Sequence, residues 1–76
     1  MGVMRILDRT GDSTLVWDAE VDETVRRAEA RFDELLAARH LAFARAPGSV
    51  GADTEQIRRF DPAADEIIFV RPIVGG

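Results

Sequence analysis

The residues of this chain best suited to chemistry stand at its end, in the run Ile73-Val74-Gly75-Gly76. A carboxylate that must reach into another protein's active site needs a narrow, extended leash, and glycine has no Cβ to obstruct the approach. Gly75 gives the clearance and Gly76 the reacting group. Elsewhere the usual reactive constellations are missing. There is no Cys, which removes disulfides, thiolate metal ligands and a thiol nucleophile. His40 is the single histidine, and with no Ser or Cys nucleophile motif near it, it reads as a group at a helix C-terminus and not as a general base. Asp18, Glu20, Asp22 and Glu29 fall at the first, third, fifth and twelfth places of a calcium loop. Glu23, however, takes the sixth place, where that loop needs Gly for its sharp turn, and a helix has already begun there. A charged helix start is the better account, and neither metal nor cofactor is expected.

Two sets of arginines remain. Arg26, Arg27 and Arg31 share a helix and read as solvated surface; Arg58, Arg59 and Arg71 fall in the last part of the sheet. Arg71 differs because it sits at the root of the tail, where an acidic groove on a partner can use it, together with Ile73 and Val74.

These residues must be positioned by a small body. A domain of 76 residues buries only about 60% of its unfolded surface, which leaves a thin core and little room for an enclosed active site. An independent enzyme is therefore not expected. With 46% hydrophobic and 32% charged residues the chain has the balance of a folded domain and not of a disordered one. A formal charge of −4 opposes broad binding to a phosphate backbone, so nucleic acid is not an expected partner. The run Ile67-Ile68-Phe69-Val70 is far too short to span a membrane, and the N-terminus lacks the apolar block of a signal peptide. A soluble, cytoplasmic protein is expected. All ten basic residues are Arg, which with the many Ala residues suggests GC-rich codons and a bacterial source. It also means that self-attachment through a lysine amine is impossible.

Residues Val3 to Leu7 and Thr14 to Trp17 are partly alternating apolar runs around Arg9-Thr10-Gly11-Asp12-Ser13, the pattern of a β-hairpin. From Val21 the period changes. Val25, Ala28, Phe32, Leu35 and Leu36 make one apolar stripe of an amphipathic helix, with Asp22 as its expected N-cap, Glu23 and Arg27 as an i,i+4 pair, and Arg39 and His40 at its far end. Leu41 to Arg45 reads as extended, residues 46–53 as a mobile loop, Gln56 to Phe60 as a short strand, Asp61 to Asp65 as a turn and Glu66 to Val70 as the last strand. Pro72 ends regular pairing. The order is β-β-α-β-β-β, with one helix across one face of a mixed sheet of four to five strands and the first and last strands as neighbours near its centre. Trp17, Phe32, Phe43, Phe60 and Phe69 are spread over separate elements, as core residues are; some can instead form an exposed sheet patch.

This order, the size, and the ending Asp65-Glu66-Ile67-Ile68-Phe69-Val70-Arg71-Pro72-Ile73-Val74-Gly75-Gly76 resemble the ThiS/MoaD group of sulfur-carrier proteins and, more distantly, ubiquitin. The specific match covers about the last dozen residues. The turn Asp61-Pro62-Ala63-Ala64-Asp65 is longer than the Gly-Asp type frequent in that group. The resemblance implies a ubiquitin-like (β-grasp) domain over 1–72 with a flexible diglycine tail over 73–76. It further implies that an E1-like (ThiF/MoeB-type) activating enzyme adenylates the Gly76 carboxylate, and that sulfur transfer to a thiocarboxylate, or conjugation to the amine of an acceptor, follows. A reading from another class also fits the sequence: a non-catalytic β-grasp adaptor or structural subunit, for example of a phage or secretion assembly, that binds partners through its sheet face or edge.

Overall fold

The computed structural model describes residues 1–8, 11–45 and 54–71. Strands β1 (Gly2–Asp8) and β2 (Gly11–Trp17) form an antiparallel hairpin, helix α1 (Asp22–Ala37) follows, and β3 (Leu41–Arg45), β4 (Glu55–Ile57) and β5 (Glu66–Val70) complete the chain. The result is an α+β fold in which one helix covers one face of a five-stranded mixed sheet, ordered β2-β1-β5-β3-β4. β5 lies at the centre, parallel to β1 and antiparallel to β3. The expected element order and the pairing of first with last strand are both present.

Alternation along the strands divides the sheet into two faces. Met4 and Ile6 of β1, Ala42 and Ala44 of β3 and Ile67 and Phe69 of β5 are buried under the helix, which returns Ala28, Phe32 and Leu35. Val25 and Leu36 pack against this cluster from the edges of the helical stripe. Three edge-to-face ring contacts tie the core across elements: Phe60 lies 5.0 Å from Trp17 and 5.9 Å from Phe32, and Phe32 lies 5.3 Å from Phe69. Such geometry sets the positive ring edge on the negative face of the neighbour. Phe43 is the exception among the aromatics, because it alternates with Ala42 and Ala44 and so lies half-buried on the other face.

Four details depart from the sequence reading. β2 begins at Gly11, with Gly11 at φ 128°, so the connection to β1 is shorter than the five residues of the expected turn. β4 has three residues and ends at Ile57; Arg58, Arg59 and Phe60 lie outside it. Phe60 serves the core from a non-strand segment, which is why an apolar residue at that position imitated a strand end. Asp22 is the first helical residue and not the N-cap; that place is Val21, with no side-chain cap. Thr24 fixes the helix start instead, its hydroxyl oxygen accepting from the Asp18 backbone N–H at 2.9 Å and lying 2.7 Å from the Val21 carbonyl oxygen, to which it donates. Lastly, Arg39 and His40 lie past the final helical turn, which contains no basic residue. Arg39 takes φ 68°, its N–H reaching the Leu36 carbonyl at 2.9 Å while the His40 N–H reaches that of Leu35 at 3.0 Å. The pair of bonds is a Schellman ending, built here on Arg where Gly is usual.

The turn before β5 is locally determined. The Asp61 carboxylate accepts from the Ala63 N–H at 2.9 Å, and the Asp61 carbonyl accepts from the Ala64 N–H at 3.1 Å, a side-chain-supported turn of the kind Asp favours. Pro62 in that turn accepts the indole N–H of Trp17 at 3.1 Å, which locks the turn onto the hairpin. The expected mobile loop over 46–53 lies outside the described residues. Among the described residues no helix is long and apolar enough to cross a membrane.

Candidate functional site

β5 carries the chain through the sheet centre and hands it on at Arg71, the last described residue. Ile73, Val74, Gly75 and Gly76, the expected tail, lie outside the described residues. The described surface around the end of β5 has two features.

Val70 points to the open face of the sheet, where it is 37% exposed. One residue later, alternation turns Arg71 to the opposite, helix-bearing side. There it lines a cleft of about 450 Å³ with Ile6 of β1, Arg31, Glu34 and Leu35 of α1, Ala38 at the helix end and His40. Ile6, Leu35 and Ala38 make the apolar walls, and the polar groups stand around them. Arg31 is neutralised locally, its guanidinium donating to Glu34 at 2.6 Å across one helical turn. Arg71 is half-buried and has no carboxylate within ion-pair distance among the described residues. The Nδ1 atom of His40 is buried without a hydrogen-bond partner among them.

The open face of the sheet is the second feature. No layer of the described residues covers it, and it carries apolar side chains in adjacent strands. The register sets Ile68 beside Phe43 and Val70 beside Leu41, with Val3 beside Val16 on the other side of the sheet. Leu7, Val16, Leu41 and Val70 are each at least one-third exposed. A charged triad crosses this face, Glu66 holding Arg5 at 2.8 Å and approaching Arg45 at 3.9 Å.

Of the residues singled out from sequence, Arg71 and His40 meet in the cleft, and Arg31 joins them rather than standing with Arg26 and Arg27, which are exposed. Glu23 and Arg27 form the expected i,i+4 pair at 3.2 Å. Arg58 and Arg59 are exposed and lie apart from the cleft lining. The Asp18 carboxylate accepts the Glu20 N–H at 3.0 Å, and no three potential ligand side chains are grouped among the described residues. Ile6 and Glu34 also line the cleft, and no local pattern in the sequence marks them for it. The signal for Arg71 was present, since it follows Ile67 and Phe69 at period two and shares their side of the sheet. No protein family, curated protein or solved structure matches the chain.

Proposed function

We propose that this is a small ubiquitin-like, β-grasp carrier or modifier protein, working through a C-terminal Gly75-Gly76 that an E1-like enzyme of the ThiF/MoeB type activates. The observation that carries the proposal is the placement of β5. As the central strand, paired on both sides to β1 and β3, it holds the chain that leads to Gly75-Gly76 in the most constrained part of the sheet. An α+β body with one helix on a five-stranded mixed sheet is compatible with the β-grasp arrangement.

In this reading the Gly76 carboxylate attacks the α-phosphorus of ATP and releases pyrophosphate. Hydrosulfide, or the amine of an acceptor, then displaces AMP from the acyl adenylate to leave a thiocarboxylate or an amide. The domain itself supplies no catalytic group. The test is intact mass after incubation with ATP, a sulfur donor and an E1-like enzyme from the same genome. A gain equal to replacement of one oxygen by sulfur, lost when Gly76 is removed, supports the carrier; an unmodified mass with every such enzyme of that genome rejects it.

A second reading is favoured by the open sheet face. Leu7, Leu41 and Val70 beside half-buried Phe43 and Ile68 form the kind of exposed apolar surface that marks protein contacts. An adaptor or structural subunit uses such a face whatever the fate of the glycines.

A further inference from the structure

We propose that the cleft between the C-terminal half of α1 and the end of β5 is a carboxylate-binding site that takes an acidic side chain of a partner protein, with Arg71 as its ionic contact. The arginines of this chain differ in whether they already have counterions. Arg5, Arg27, Arg31 and Arg45 each lie within 4.0 Å of a carboxylate. Arg26, Arg39, Arg58 and Arg59 do not, but they are exposed, where water solvates the guanidinium. Among the described residues Arg71 alone is both partly withdrawn from water and without an acidic partner. A guanidinium in that position presents a planar fork of donors suited to a carboxylate.

The surroundings select the ligand. Ile6, Leu35 and Ala38 accept the methylene stem of an acidic side chain, and the Glu34 carboxylate is already occupied by Arg31, so among the described residues the cleft presents one uncompensated positive charge over apolar walls. His40 adds the second under-satisfied group, a ring nitrogen buried without a partner among the described residues. Buried polar atoms are seldom left so; an acceptor arriving in the cleft gives the imidazole a reason to turn and donate to it. An uncharged amide in the same place would leave Arg71 uncompensated. The inference does not depend on activation of Gly76, because it is argued from Ile6, Leu35, Ala38, His40 and Arg71 alone.

The test is an NMR titration of the full chain with two short blocked peptides differing only in Glu against Gln, and with free glutarate, at matched ionic strength. The Glu peptide is expected to give saturable shifts at the Arg71 side-chain N–H, the His40 ring and the Ala38 amide. Binding should weaken roughly two- to fivefold for the Gln peptide, the range a partly exposed ion pair supports, and by the same factor in Arg71→Gln. His40→Gln should keep the Arg71 response in part. Equal responses to Glu and Gln peptides, or shifts centred on Arg26, Arg58 and Arg59, would overturn the site. Glutarate binding as tightly as the Glu peptide would overturn the assignment to a protein side chain in favour of a free small carboxylate. Arg71→Gln is an exchange at a half-buried position just past the end of β5, and an unchanged spectrum of the core amides shows that its effect is on binding.

Discussion

Trp17 occupies the space that a side chain on Gly2 would need: the two residues are paired across the β1–β2 hairpin, and a Cβ built on Gly2 would overlap the indole ring. The ring cannot easily give way, because it is 1% exposed and its N–H is held by the Pro62 carbonyl. Replacing Gly2 by Ala should therefore destabilise the fold by about 1–3 kcal/mol through overpacking. Urea unfolding followed by Trp fluorescence measures this directly. A midpoint equal to that of the parent would show that the indole relocates without penalty.

Arg39 offers a change in the opposite direction. Its φ of 68° is a conformation that costs an L-residue about 1–2 kcal/mol, while glycine adopts it freely but gives up more chain entropy on folding. Arg39→Gly should leave the Schellman bonds intact and raise stability by about 0.5–1 kcal/mol. The expected signature is a higher urea midpoint with an unchanged m-value; a lower midpoint would mean that the arginine side chain makes a contribution the backbone geometry does not reveal.

Phe32 is where the helix enters the sheet core, fully buried and in ring contact with both Phe60 and Phe69. Phe32→Ala should cost about 3–5 kcal/mol, which approaches the whole stability of a small domain. Near-ultraviolet circular dichroism should show loss of fixed aromatic packing at room temperature. A cooperative melt within a few degrees of the parent would contradict the central place given to this ring.

Glu66 joins Arg5 and Arg45 on the open sheet face. Because the Arg5 side chain is 60% exposed, the network is worth little, and Glu66→Gln should cost no more than about 1 kcal/mol at low salt. That cost should shrink as ionic strength is raised towards about 1 M, where screening acts within a few ångströms. Chemical denaturation with urea at the two salt levels decides; a cost independent of salt would point to a packing role for the carboxylate.

Removal of Gly75 and Gly76 separates the two functional readings. A carrier loses its ATP-dependent mass gain and keeps its melting temperature. An adaptor loses nothing by that deletion but should lose its partner on Leu41→Glu, an exposed site where the substitution is expected to change stability by only about 0.5 kcal/mol.

By itself the sequence determined the elements whose signals are local. The 3.6 period of Val25, Ala28, Phe32, Leu35 and Leu36 identifies the face that α1 buries, and the bounds of β3 and β5 agree with those read from alternation and flanking turns. The continuous apolar run in β5 also implied a strand near the sheet centre, and β5 is central although its outer face is open, with Ile68 beside Phe43 and Val70 beside Leu41. What the tertiary structure alone decided depends on residues far apart in the chain. Trp17 meets Pro62 across 45 residues. Phe60 imitates a strand residue because hydrophobicity records burial and not backbone conformation, and the cleft forms only when Ile6, Arg31, His40 and Arg71 converge from β1, α1, the helix ending and the end of β5. Periodicity encodes which face of an element is buried, whereas pairing register and packing fix which faces meet, and the chemistry proposed for Arg71 exists only after that choice is made.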